Sequence, residues 1–167
     1  MSAAPQAGEE DRQTAHGLAR YAYEYIDAAI LVDEKHGARK GHEFVSPVPG
    51  YFLALHGLEL TLKAFLRHHG MKPKELRSMK FGHDVKACYR KAKELGLRDV
   101  FKMKADDMRA MLLLVELNDF QGLRYIRTGL HRYPSWAIVE PLVVRLHQAV
   151  AQAIGARTFN KSYSAYQ

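Results

Sequence analysis

The stretch GYFLALHGLELTLKAFLRHHG, from Gly50 to Gly70, decides the fold. Phe52, Leu55, Leu58, Leu62, Phe65 and Leu66 recur at spacings of three and four, the signature of one buried helical face. A helix from about Gly50 to His69 follows, closed by Gly70. Ser46, Pro47, Pro49 and Gly50 read as the breaker in front of it. His56, Glu59 and Lys63 interrupt the apolar run, which falls short of the ~20 residues a membrane span needs. A soluble core helix is the expectation.

Working outward, the same periodicity recurs and strand alternation bounded by turns does not. Upstream, a helix is expected from about Asp11 to His36, with Leu18, Ala22, Tyr25, Ile26, Ala29 and Val32 inward and Gly37 as its stop. Downstream, a basic loop with Pro73 and Gly82 leads to a helix over about His83 to Leu95, stopped by Gly96. Another runs from about Ala105 to Phe120, with Asp106 and Asp107 favoured near its N-terminus by the dipole. The stretch Leu123–Tyr133 is ambiguous, because Gly129 weakens a helix and Pro134 ends one. The last helix spans about Ser135 to Ala156, and Pro141 either kinks it or marks its true start. The fold class is therefore all-α, an antiparallel helical bundle of four to five helices over residues 11–156, between tails at 1–10 and 157–167.

Composition narrows the function classes. A chain of 167 residues with 47% apolar content supports one real core, which argues against global disorder. Cys88 is the only cysteine, so no intrachain disulfide can form, and a reducing cytoplasm is the simplest home. Met1–Glu10 has neither the basic start nor the apolar segment of a signal peptide. The net charge of +7 is unevenly placed: Leu60–Lys104 holds thirteen basic and four acidic residues, leaving −2 for the remainder. Such a cluster is the electrostatic footprint of a surface that meets phosphate, or a lysine-rich face kept for solubility. Lys72, Lys74, Arg77, Lys80, Lys86 and Arg90 are the candidate nucleic-acid or anion-binding residues.

LELTLKAFL at Leu58–Leu66 and GHDVKACYRKAKEL at Gly82–Leu95, followed by LNDFQGLRYIRTG at Leu117–Gly129, resemble HEPN domains. In these small prokaryotic helical bundles an E-x-x-x-K-A-x-L helix precedes one opening with G-H-D. The resemblance covers about Ala15 to Ala156 and implies a HEPN-like bundle, a cytoplasmic homodimer, and RNA or a nucleotide as ligand. It also implies an antitoxin or nucleotidyltransferase as a partner protein; no cofactor is expected, and the interrupted apolar run of Tyr51–Leu66 argues against a membrane. Some HEPN domains are metal-independent ribonucleases of toxin or defence type with an R-x4-6-H motif shared across a dimer groove. The match in this chain is Arg124, six intervening residues, and His131, followed by Arg132 and Tyr133.

The chemistry suits those residue types. Cleaving RNA without a metal needs a base for the 2′-hydroxyl proton, which a histidine titrating near neutrality supplies, and a cation for the developing phosphorane charge, which an arginine fork supplies. His131 would be the base or acid, Arg124 the phosphate clamp and Tyr133 an auxiliary donor. On a helix the two would share a face two turns apart, provided the helix survives Gly129. The primary expectation is a HEPN-like binding module acting through the basic region, and the alternative is the ribonuclease.

Other residues read more plainly. Glu59 and Lys63 form an i, i+4 pair that supports its helix by ~0.3–0.5 kcal/mol if exposed. His83 is expected to cap or pack at a helix entrance. His68 and His69 point about 100° apart on a helix and cannot share a metal as an i, i+4 pair would, and no metal site is expected. No nucleotide-binding glycine loop is present. Cys88 belongs to the apolar face, where thiols are inert, and Met103, Met108 and Met111 suit a core or a dimer interface.

Overall fold

A computed structural model describes residues 13–163, apart from 45, 120, 121, 127 and 130. Among the described residues there are seven helical segments and no strand: α1 (Ala15–Gly37), α2 (Val48–His68), α3 (Pro73–Leu76), α4 (Val85–Glu94), α5 (Leu97–Val100), α6 (Ala105–Asp119) and α7 (Trp136–Ile154). The all-α class holds. The count exceeds four to five because α3 and α5, four residues each, are single turns too short for an apolar period to register.

Local chemistry sets the boundaries. Thr14 caps α1, its hydroxyl accepting from the Gly17 amide at 3.0 Å, so the helix begins at Ala15 rather than near Asp11, which lies outside the described residues. Pro47 precedes α2 and Pro49 sits in its first turn, where a missing N–H costs nothing, so the helix starts two residues earlier than the breaker reading allows. Asp84 caps α4 through the Ala87 amide at 2.8 Å. Pro141 lies inside α7, which begins at Trp136, and Gly155 closes it at φ 73°.

α2 is the centre of the bundle. Its contacts with α1 are the most extensive in the fold, and it also packs against α7, α4 and α6. Because neighbours surround it, Tyr51, Ala54, Gly57, Thr61 and Ala64 are buried beside the expected Leu55, Leu58, Leu62, Phe65 and Leu66, while Phe52 is only half-buried. Gly57 makes the α1 contact possible: a Cβ there would stand 2.5 Å from Ile26 Cγ1 and 3.3 Å from the Ala22 carbonyl oxygen. Gly50 faces Ala29 and Gly57 faces Ala22, so α1 and α2 are antiparallel. α1 buries Leu18, Ala19, Ala22, Ile26, Ala29 and Ile30, and the expected Tyr25 and Val32 lie at the edge of that stripe.

α7 closes the opposite side. His147, fully buried, bonds the Ala19 carbonyl through Nε2 at 2.8 Å and the Thr158 hydroxyl through Nδ1 at 2.7 Å. A carbonyl only accepts, so Nε2 carries the hydrogen and Nδ1 accepts from Thr158. Burial holds this imidazole neutral by pulling its pKa below the ordinary value. Asp107 on α6 receives Arg145 of α7 at 2.9 and 3.0 Å and the Lys104 amide at 2.8 Å, joining the two helices by a buried carboxylate. The chain after Gly155 lies along α7, with Gln148 donating to the Phe159 and Lys161 carbonyls and Glu140 accepting from Trp136, Lys161 and Tyr163. No helix among the described residues is long and apolar enough to cross a membrane.

Candidate functional site

The basic segment holds structural cations and solvent-facing ones, and Arg77 is both, exposed yet donating to Gln13 Oε1 at 3.2 Å. Lys63 belongs to the core: its ammonium donates to Glu59 Oε1 and to the Gly82 carbonyl, both at 2.6 Å. The side chains of Glu59 and Lys63 are only 9% and 10% exposed, so the pair is not the surface support its spacing suggests, because α2 has neighbours on that face too. It fastens the turn before α4 onto α2. Arg67 is likewise committed, donating to the Gln13 carbonyl at 2.9 Å.

Lys72, Lys74, Arg77, Lys80, Lys86 and Arg90 are all exposed. Lys86 and Arg90 are one turn apart on the outer face of α4, while Lys72, Lys74 and Arg77 belong to α3 and its ends. Arg77 and Lys86 border one cleft of about 610 Å³ together with Ser78, Gly82, His83, Asp84 and Asp119. Two acidic residues therefore share the cleft with the cations. Lys80 lies over the Phe81 ring at 5.1 Å.

The segment carrying Arg124, His131 and Tyr133 is not helical in its described part, and Gly129 has φ +119°. Arg124 and His131 therefore do not share a helical face two turns apart, since glycine in this backbone region breaks the ladder that the relation needs. All three nevertheless border one cavity of about 280 Å³, with Val48, Gly122, Leu123, Tyr125 and Ile126. His131 is half-buried, and its Nε2 is buried without a hydrogen-bond partner among the described residues. Tyr133 stands 5.4 Å from the Tyr51 ring, and Arg124 is exposed with its guanidinium 5.6 Å over the Phe52 ring.

Arg124 also borders a second, smaller cavity that sequence reasoning missed. About 160 Å³ is enclosed by Tyr25, Phe52, Leu55, His56, Glu59, His83, Val85, Asn118 and Arg124. Phe52, His56 and Glu59 lie at i, i+4 and i+7 on α2, a helical spacing that could have drawn attention to His56. The His56 ring meets Tyr25 edge-on at 4.4 Å. Burial pulls the His56 pKa below the ordinary imidazole value, and the charges of Lys63, His83 and Arg124 act in the same direction against Glu59. His83 neither caps nor packs, as Asp84 takes the cap; its side chain is 80% exposed and its Nδ1 is 3.7 Å from Glu59 Oε1.

The remaining candidates are structural. Burial pushes the Cys88 thiol up to about 12, and its Sγ contacts the Phe81 carbonyl at 3.4 Å, so it is no nucleophile near neutral pH. Met111 is buried and Met103 and Met108 pack against the core. His69 meets the Phe65 carbonyl and the Phe65 ring. Comparison with protein-family models, curated proteins and solved structures returns no match.

Proposed function

We propose that the chain is a HEPN-like, cytoplasmic, homodimeric binding module that recognises the phosphate backbone of RNA through its basic surface. The observation that carries this reading is the placement of Arg77 and Lys86 on one open cleft of about 610 Å³, with Lys72, Lys74, Lys80 and Arg90 exposed along the same segment. Cations clustered on a groove attract a polyanion from solution and release its counterions on contact. The acidic pair Asp84 and Asp119 on the cleft wall limits how the strand can lie, favouring contact along the cationic rim. Fluorescence anisotropy with a labelled single-stranded RNA tests the reading. Affinity should fall steeply between 50 and 200 mM salt, as expected when several phosphates are neutralised. The Lys86→Ala/Arg90→Ala double variant should weaken binding and flatten the salt slope by about two counterions' worth. Binding indifferent to salt, or preference for an acidic protein over RNA, would exclude it.

A second reading is favoured by one specific observation, the unpartnered Nε2 of His131 in the cavity shared with Arg124 and Tyr133. In a metal-independent ribonuclease His131 would take the 2′-hydroxyl proton. The alkoxide would attack the adjacent phosphorus, Arg124 would hold the phosphorane charge, and the 5′-oxygen would leave with a proton to give a 2′,3′-cyclic phosphate. Cleavage in EDTA that disappears in both Arg124→Ala and His131→Ala would support it. Cleavage that survives both removes the assignment.

A further inference from the structure

The small cavity beside Glu59 gathers polar side chains from five different parts of the fold into a confined space. Tyr25 comes from α1, His56 and Glu59 from α2, His83 from the turn before α4, Asn118 from α6 and Arg124 from the segment after it. Six polar side chains thus surround about 160 Å³, and Phe52 supports the arginine from below. At roughly 30 Å³ per water, that space equals about five waters, or a group of about five heavy atoms. It is well below the several hundred Å³ of pockets that take whole drug-sized ligands.

The charge balance favours an anion. Glu59, the one carboxylate among the described residues of the cavity, is already neutralised by Lys63 at 2.6 Å and so adds little net charge, and Arg124 forms no ion pair with it. Arg124, His56, His83, Asn118 and Tyr25 all offer N–H or O–H donors. Donors from several directions suit a tetrahedral oxyanion better than a flat carboxylate, which a single guanidinium fork satisfies. His83 also borders the larger cleft of Arg77 and Lys86, so the two cavities adjoin at that side chain.

We propose that this cavity is a receptor for one phosphate group, with Arg124 as its clamp and His56, His83 and Asn118 as supporting donors. The proposal deepens the RNA-binding reading, since it assigns one phosphate of the bound strand, or that of a free nucleotide, to a built site. It also places Arg124 with His56 and His83 of its own chain, independently of His131.

Histidine-ring NMR titrations of the full chain test it with four probes: inorganic phosphate, adenosine monophosphate, adenosine and acetate. Phosphate and the monophosphate should shift the His56 and His83 ring resonances saturably, while adenosine and acetate should not. Arg124→Ala should weaken phosphate by roughly tenfold or more, as for loss of a charge-assisted contact. His56→Gln and Asn118→Ala should weaken it severalfold, and Arg20→Ala, on the exposed face of α1, should leave it unchanged. Equal shifts from adenosine, equal affinity for acetate, or an unaltered titration in Arg124→Ala would overturn the proposal. Arg124 is exposed, so its replacement leaves the core intact.

Repeating the titration with a short RNA separates the two sources of phosphate. RNA that binds without shifting His56 or His83 overturns the receptor and leaves the basic-surface reading standing. Saturable phosphate binding in a protein that ignores RNA keeps the receptor, as a nucleotide site, and removes the RNA reading.

Discussion

Two ion pairs in this molecule share the same i, i+4 spacing and differ in almost everything else. Arg20 and Glu24 on α1 stand 3.7 Å apart with side chains 69% and 61% exposed. Glu59 and Lys63 on α2 stand 2.6 Å apart with side chains about one-tenth exposed, and the lysine also serves the Gly82 carbonyl. Spacing brings the charges together in both cases. What each pair is worth depends on whether water can replace the partner, which is a property of where the helix sits in the bundle.

The largest effect expected from this contrast is at Lys63. Replacement by alanine leaves Glu59 buried without its cation and the Gly82 carbonyl without its donor, and should cost about 3–5 kcal/mol in chemical denaturation. The double variant Glu59→Leu/Lys63→Met should lose much less, because the buried charge is removed with its partner. A double variant as unstable as Lys63→Ala would show that packing, not charge, dominates. Next in size is Gly57→Ala, whose methyl would overlap Ile26 and approach the Ala22 carbonyl, costing about 1–3 kcal/mol through separation of α1 from α2. An unchanged urea midpoint would refute that close approach.

A pH titration extends the contrast to the imidazoles. His56 and His147 are both held below the ordinary value of 6.5 by burial. The unfolded chain therefore binds these protons first as pH falls, so the associated stability is present above about pH 6.5 and is lost progressively as pH drops towards the folded values. Melting temperature should decline from pH 7.5 to 5.5, and less so in His147→Gln when each protein is referred to its own value at pH 7.5. A flat profile in the parent chain would contradict the neutral, buried imidazoles. The smallest effect is at the exposed pair: Arg20→Ala should shift stability by no more than about 0.5 kcal/mol, and 1 M salt should erase the difference.

Periodic apolar spacing made the helices legible from sequence, and the dominant helix was readable from Phe52 to Leu66. Three features were not. α3 and α5 are too short for a period to register. The burial of Glu59 and Lys63 depends on neighbours of α2 that are distant in sequence, which no i, i+4 rule contains. At the candidate site, the residue types Arg124, His131 and Tyr133 can be picked out and do share a cavity, but the condition for a shared helical face, a helix surviving Gly129, is not met. That Arg124 lines one cavity with His56 and His83 is part of the same third feature, because it depends on α2, the turn before α4 and the segment after α6 converging.

The strap that follows Gly155 separates two properties that are often treated as one. Among the described residues its amides beyond Ala156 enter no backbone ladder, while its carbonyls and side chains are gripped by His147, Gln148 and Glu140. Deuterium uptake would therefore be fast along a segment whose position is fixed. A technique that watches carbonyls or distances would report order there, and one that watches amides would report a coil.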